Sequence, residues 1–186
     1  MDDLLSRALD LAEVRGAGYA DIRIVRTVQE RISLRNGVVD TLSVDESLGF
    51  GVRVLVNGCW GFASSHDLTG KEIDRITALA VDIAKASGTL SKGAVDLGPP
   101  VTSRGTYTTP IEEDPFTIST DHKLALLMDA DQRMAGVKGV RSRQGNMVFI
   151  KEEKTFANSE GAHVEQTVYE AGGGIAANAV GNNEIQ

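Results

Sequence analysis

Leu48 to Ser65 reads LGFGVRVLVNGCWGFASS, and its meaning turns on Asn57-Gly58. A type I′ turn needs positive φ at both central residues, which Asn and Gly tolerate at least cost. This pair between two apolar runs therefore predicts a hairpin of strands Gly49–Val56 and Cys59–Ser65. Along the first strand Phe50, Val52, Val54 and Val56 share one face, while Gly49, Gly51, Arg53 and Leu55 share the other. The valine face is expected to be buried, and the glycines mark where another element can come close.

Working outward, Leu4, Leu5, Ala8, Leu11 and Ala12 recur at helical spacing over residues 3–15, with Asp2 or Asp3 as N-cap and Gly16 and Gly18 as stops. From Ala20 the period changes to two. Ile22 with Ile24, and Ile32 with Leu34, read as two successive strands, after which a second Asn-Gly pair, Asn36-Gly37, turns the chain into VVDTLSVDE. On this reading the Leu48–Ser65 hairpin supplies the fourth and fifth strands of an antiparallel meander. Downstream, Thr69 and Glu72 have the spacing of a capping box and predict a helix whose stripe is Ile73, Ile76, Ala80 and Ile83, running to about Ala86 with Gly88 as its stop.

Residues 88–118 hold all four prolines (Pro99, Pro100, Pro110 and Pro115) and no sustained periodicity, so they read as a long connecting strap. A third helix is expected over residues 121–135, capped by Ser119 or Thr120, with Leu124, Leu127, Met128 and Met134 on one side. GVRSRQGN, MVFIKEEKTFANS and HVEQTVYEAGGGIAANAV then read as a second set of strands, with Glu160-Gly161 in the last turn. The expected fold is α+β, an antiparallel sheet meander with packed helices. The order helix, strands, glycine-bearing turn, strand occurs twice and suggests an internal helix-plus-hairpin duplication. Three parts follow: 1–87, the strap 88–118, and 119–186 as an incomplete further region.

A chain of 186 residues, 41% of them hydrophobic, can bury a substantial core. Its formal net charge of -7 gives no basic footprint for nucleic acid or an anionic membrane surface. Cys59 is the only cysteine, which rules out an internal disulfide and a cysteine-based zinc cluster. The acidic start MDDLLSRALDLAEVRG is unlike a signal peptide, and no apolar run reaches the roughly 20 residues that span a bilayer. A soluble, cytoplasmic protein is the expectation.

The residues themselves give no catalytic centre. His66, His122 and His163 have no partner histidine at helical ligand spacing, and His66-Asp67 is the best placed of them. Cys59, in a strand beside Trp60 with no base at hand in sequence, reads as a small buried hydrophobe rather than a nucleophile. Gly172-Gly173-Gly174 lacks dinucleotide spacing. Glu112-Glu113-Asp114 and Glu152-Glu153 read as solvated carboxylates, because neighbours on a strand point to opposite faces. Trp60 and Phe62 share a strand face that fits a core or a peptide-contact platform, with core the expected reading. No catalytic, cofactor or metal residue is assigned.

GFGVRVLVNGCWGFASSHDLT (49–69) closely resembles the N-terminal signature of the TldD/PmbA family, also called modulators of DNA gyrase. GTYTTPIEEDPFTIS (105–119) resembles the linker of its TldD-like members, and TFANSEGAHVEQT (155–167) the family's asparagine-serine-acidic-glycine turn. Trp60-Gly61-Phe62 favours the TldD branch. The resemblance implies a zinc metallopeptidase that acts on unfolded peptides as a heterodimer with a TldE/PmbA-like subunit. It also places the family's zinc ligands, an HExxxH helix and a later cysteine, beyond this region, so no ligand is carried onto any residue here and no cofactor is expected in this chain. The chain is then expected to be an N-terminal portion, non-catalytic alone, serving substrate access and subunit packing. The other reading is a stand-alone binding or assembly module, or the remnant of a truncated gene. Exposed edge strands would favour self-association of such a piece.

Overall fold

The structure is a computed structural model that describes residues 2–88, 95, 97–100, 102–181 and 184–185. In chain order its elements are α1 (Asp2–Val14), β1 (Tyr19–Arg35), β2 (Val38–Val56), β3 (Cys59–Ser65), α2 (Gly70–Gly88), β4 (Arg104–Thr108), α3 (Thr120–Ala135), β5 (Val140–Asn158), β6 (His163–Gly181) and β7 (Glu184–Ile185). The strand order is β3-β2-β1-β5-β6-β4, with β7 pairing β6, in a mixed and mostly antiparallel sheet. This is the α+β class expected. Both Asn-Gly turns form as predicted, with Asn36 and Asn57 each at φ 51° and Gly37 and Gly58 at 77° and 76°.

Three expectations are corrected. First, Ala20–Asn36 holds one strand, not two, and VVDTLSVDE continues without a break into Gly49–Val56. No Gly, Pro, Asn or Asp interrupts Thr27–Glu30, and the even-numbered face runs in phase from Ile22 to Leu34. GVRSRQGN and MVFIKEEKTFANS fuse likewise into β5, where Gly145 makes room for Leu127 rather than a turn: a Cβ there would lie 3.2 Å from Leu127 Cδ2. Second, the strap is not featureless. Arg104–Thr108 runs parallel to His163–Thr167, so the sheet is no pure antiparallel meander. Residues 89–94, 96 and 101 of the strap lie outside the described residues. Third, the buried side of α3 carries Lys123 and Asp131 beside Leu127. Apolar periodicity alone is blind to such residues.

The chain divides into two compact units, and β1, β2, β5 and β6 contribute a segment to each. The first unit comprises 1–26, 47–108 and 152–167. Here α2 packs on β3 and α1 on α2. The helices cover the face formed by Ile22, Ile24, Phe50, Val52, Val54, Val56 and Ala63, which joins Leu5, Ala8, Ala12, Ile73, Ile76, Ala80 and Val81 in one apolar cluster. Burying each Ile or Val side chain contributes about 1.5–3 kcal/mol. Gly61 lets α2 lie close, since a Cβ there would overlap the Ala80 carbonyl. Thr69 supplies half of the expected capping box, its Oγ1 accepting from Glu72 N–H at 3.4 Å. The Glu72 carboxylate turns to Arg75 instead.

The second unit comprises 27–46, 109–151 and 168–186. Its apolar cluster is Ile32, Leu34 and Leu127, with Leu124, Met128 and Met147 packed against it. Polar pairs complete the interior. Lys123 Nζ lies 2.5 Å from Glu30 Oε2, with both side chains almost fully buried, and also sits over the Phe149 ring. Asp131 accepts from Arg143 Nε at 3.0 Å. Ser119 caps α3, its hydroxyl accepting from His122 N–H.

Candidate functional site

Among the described residues, the helices of the first unit cover one face of its sheet. In the β2–β3 register Trp60, Phe62 and Ser64 pair with Leu55, Arg53 and Gly51, which puts them on the face opposite the valines. This corrects the expectation that Trp60 and Phe62 belong to the core. Phe62 is 57% exposed. Its ring lies over Gly51, where a Cβ would meet it at 2.8 Å, so the close approach foreseen at the second-face glycines is to an aromatic ring.

Arg53 organises this face. It donates from Nε and Nη2 to Asp21 Oδ2 at 2.8 and 2.6 Å, and its guanidinium lies 4.6 Å from the Trp60 ring centroid. The Asp21 side chain is 4% exposed and that of Arg53 is 42% exposed. Burial works against the Arg53 charge, but the hydrogen bond and charge of Asp21 outweigh it and leave the Arg53 pKa raised. Tyr19 meets Trp60 edge to face at 5.8 Å. Burial first and the Asp21 charge second hold its phenol above the ordinary value, so it stays a proton donor. On β5, Phe156 carries a second guanidinium, that of Arg23, 5.4 Å from its ring.

The wall of the site is the turn after β5. Asn158 Oδ1 accepts from the N–H groups of Glu160 and Ala162 at 3.1 and 2.7 Å, an Asx-type closure, and Gly161 adopts φ 100°. Ser159 exchanges two bonds with Ala20: its N–H donates to the Ala20 carbonyl, and its Oγ accepts from Ala20 N–H. Arg104 Nε donates to the Gly161 carbonyl at 2.8 Å. The turn is thus braced on β1 and β4, and it closes a cavity of about 330 Å³ lined by Tyr19, Arg53, Trp60, Phe156, Glu160 and Val164, with Leu97 and Pro99 of the strap alongside. A groove of about 530 Å³ continues the open face past Arg23, Phe62 and His66. A larger depression, about 810 Å³ along α1 and α2, is shallower in chemistry. Its floor has no aromatic ring, and Arg7 already gives both nitrogens to Asp74.

The other sequence candidates stay apart. Cys59 is buried, and a Cβ at Gly88 would lie 3.8 Å from its sulfur. His66 and His122 are exposed. His163 is half-buried, with Nε2 lacking a hydrogen-bond partner among the described residues and lying 3.9 Å from Glu165 Oε1. Glu152 pairs with Lys154 and Glu153 with Arg26, on opposite faces as adjacent strand residues must be. Asp114 departs from a purely solvated role, accepting from Phe116 N–H and Tyr169 O–H. Among the described residues, no group of three or more His, Cys, Asp or Glu is placed to hold a metal ion. No helix of the described residues is long and apolar enough to cross a membrane. Sequence reasoning missed Asp21 and Tyr19 as partners of Arg53; the one available signal was a lone acid between apolar residues in Ala20-Asp21-Ile22.

Fold and site together define an α+β domain with a helix-backed sheet and one open aromatic-arginine face. Residues 20–84 match the family model of PmbA/TldA metallopeptidase domain 1, and residues 113–185 that of the PmbA/TldA metallopeptidase central domain. The chain belongs to the TldD/PmbA family. A metalloprotease of Methanothermobacter thermautotrophicus is 31% identical over 147 residues, covering 79% of this chain and 31% of that protein. One of Methanocaldococcus jannaschii is 26% identical over 147 residues, covering 79% of this chain and 32% of that protein. The chain therefore spans about a third of the length of these curated relatives. Among solved structures, a protein of Bacteroides thetaiotaomicron described as a modulator of DNA gyrase shares the fold at TM-score 0.76 and 15% identity, over 97% of this chain and 41% of that one. TldE of Thermococcus kodakarensis does so at TM-score 0.68 and 13% identity, over 98% and 40%.

Proposed function

We propose that this chain is the N-terminal part of a TldD-like zinc metallopeptidase, which processes unfolded peptides in the cytoplasm as a heterodimer with a TldE/PmbA-like subunit. Its own role is non-catalytic: it helps wall the path by which peptide reaches the metal and packs on the partner, with 88–118 as a strap between the parts 1–87 and 119–186. The observation that carries this reading is the match of two successive metallopeptidase domains to one chain whose open sheet face presents aromatic rings and fixed guanidinium groups. Such a face suits sequence-tolerant contact with extended chains. Incubating the purified 186-residue chain with an unstructured peptide tests it. The expected result is no cleavage by the chain alone and co-elution with a TldE-like subunit. Cleavage by the chain alone that a chelator abolishes would overturn the non-catalytic role.

A further inference from the structure

We infer that the cavity beside Trp60 is a subsite for one aromatic side chain of an unfolded peptide. This deepens the function proposed above and rests on it. The cavity of about 330 Å³ lies at the lower end of small-ligand pockets, the size of a side chain rather than of a folded partner. Its walls include the rings of Tyr19, Trp60 and Phe156 and the apolar Val164, with Ser103, Asn158 and Glu160 as polar neighbours.

Charge decides among occupants. Arg53 has one face on Trp60 and an edge on Asp21, while its side chain remains 42% exposed in the cavity wall. The remaining face is held flat, because the two bonds to Asp21 and the ring beneath fix the plane. A lysine or arginine side chain entering here would give up its water for carboxylates that are already engaged, Asp21 with Arg53 and Glu160 with Asn158. An acidic one would find the Arg53 charge already answered by Asp21 and would approach Glu160 at the rim. An aromatic ring has the complementary field: its negative face meets the guanidinium, its edges meet the other rings, and no charge has to be desolvated. An aliphatic side chain gains the burial but not the cation–π contact.

Trp60 is the only tryptophan of the chain, so its fluorescence reports on this cavity alone. The test titrates the 186-residue chain with acetyl-Gly-Gly-X-Gly-Gly-amide peptides in which X is Phe, Leu, Lys or Glu. The expected result is a saturable change with Phe, tighter than Leu by roughly two- to fivefold, the ratio given by a cation–π contact at a half-exposed site. Lys and Glu peptides should bind at least about tenfold more weakly than Phe, as their charges are unanswered in the cavity. Arg53→Gln removes the cation that would face the bound ring, so it should bring the Phe-to-Leu ratio near one. If that variant does not fold, the four-peptide series on the native chain still decides. Equal response to Phe and Lys, or no saturable response in a chain that melts cooperatively, would overturn the subsite. Those results leave the cleavage and co-elution outcomes above untouched. Conversely, a failed co-elution with the Phe preference intact would count against the metallopeptidase role and not against the cavity.

Discussion

The two compact units are held together by different chemistry. Among the described residues, 17 buried side chains of the first, from Leu5 to Ala157, form one apolar cluster. In the second the described cluster is three residues, Ile32, Leu34 and Leu127, and the burial beside it belongs to Glu30, Lys123 and Asp131. The stability of an apolar interior turns on volume rather than on charge pairing. A paired interior is the reverse, because each ion has given up its water and depends on its partner. The difference shows that one chain can back one unit with apolar side chains and another with ions: Ile22 and Ile24 join the apolar cluster of the first, while in the second Glu30 meets Lys123 and Ile32 and Leu34 meet Leu127.

The sharpest way to break this contrast is Lys123→Met. It leaves the Glu30 carboxylate buried without its cation and should cost about 3–5 kcal/mol in urea unfolding, while the double variant Glu30→Leu/Lys123→Met should recover most of the loss. A single-variant cost well under 1 kcal/mol, against that expectation, would mean that the second unit is not held by charge. Next in size, Ile76→Ala opens a hole in the first unit and should cost about 3 kcal/mol, with amide exchange accelerated in α2 and β3. Loss of protection that spread equally through α3 would show the two interiors to be one cooperative unit. Gly61→Ala pushes a methyl into the backbone of α2 and should cost about 1–3 kcal/mol. Gly18→Ala, whose Cβ would find only the Leu55 carbonyl at 3.9 Å, should lie within about 0.5 kcal/mol of the native chain.

The smallest effect is in acid. Hydrogen bonds from Arg75 first, then Ser65, pull the Glu72 carboxyl from 4.5 down to about 2. A folded value below the unfolded one means that the stabilisation is fully present above about 4.5 and is lost as pH falls through about 2. Glu72→Gln should therefore flatten the stability profile across that window and leave it unchanged at neutral slope above it. The pair is at the surface, so the change is expected to be minor beside those at Lys123, Ile76 and Gly61.

Much of this was legible in the residues. Both Asn-Gly turns, the valine face of β2, the three helices and the Thr69 and Ser119 caps follow from local chemistry that does not depend on distant partners. Strand ends were misjudged where no turn residue exists to mark them, as at Thr27–Glu30, and β4 was invisible because its five residues are all exposed and owe their pairing to β6. The site was legible only in part. Arg53 and Trp60 were placed on the right strands, but whether Trp60 faces the core depends on which face the helices cover. Asp21, Glu30, Lys123 and Asp131 carry no periodic signal when buried, since polar residues are by default assigned to solvent.

The exchange between Ala20 and Ser159 joins residues 139 apart in the chain. On a ribosome adding about 5–20 residues per second, the β2–β3 hairpin can close as soon as its second strand emerges, whereas β1 must wait on the order of ten seconds for β5. Throughout that interval β1 is paired along one side only. The order of synthesis thus gives this sheet a long half-finished stage, in which the nascent chain offers a strand to any neighbour that reaches it before its own does.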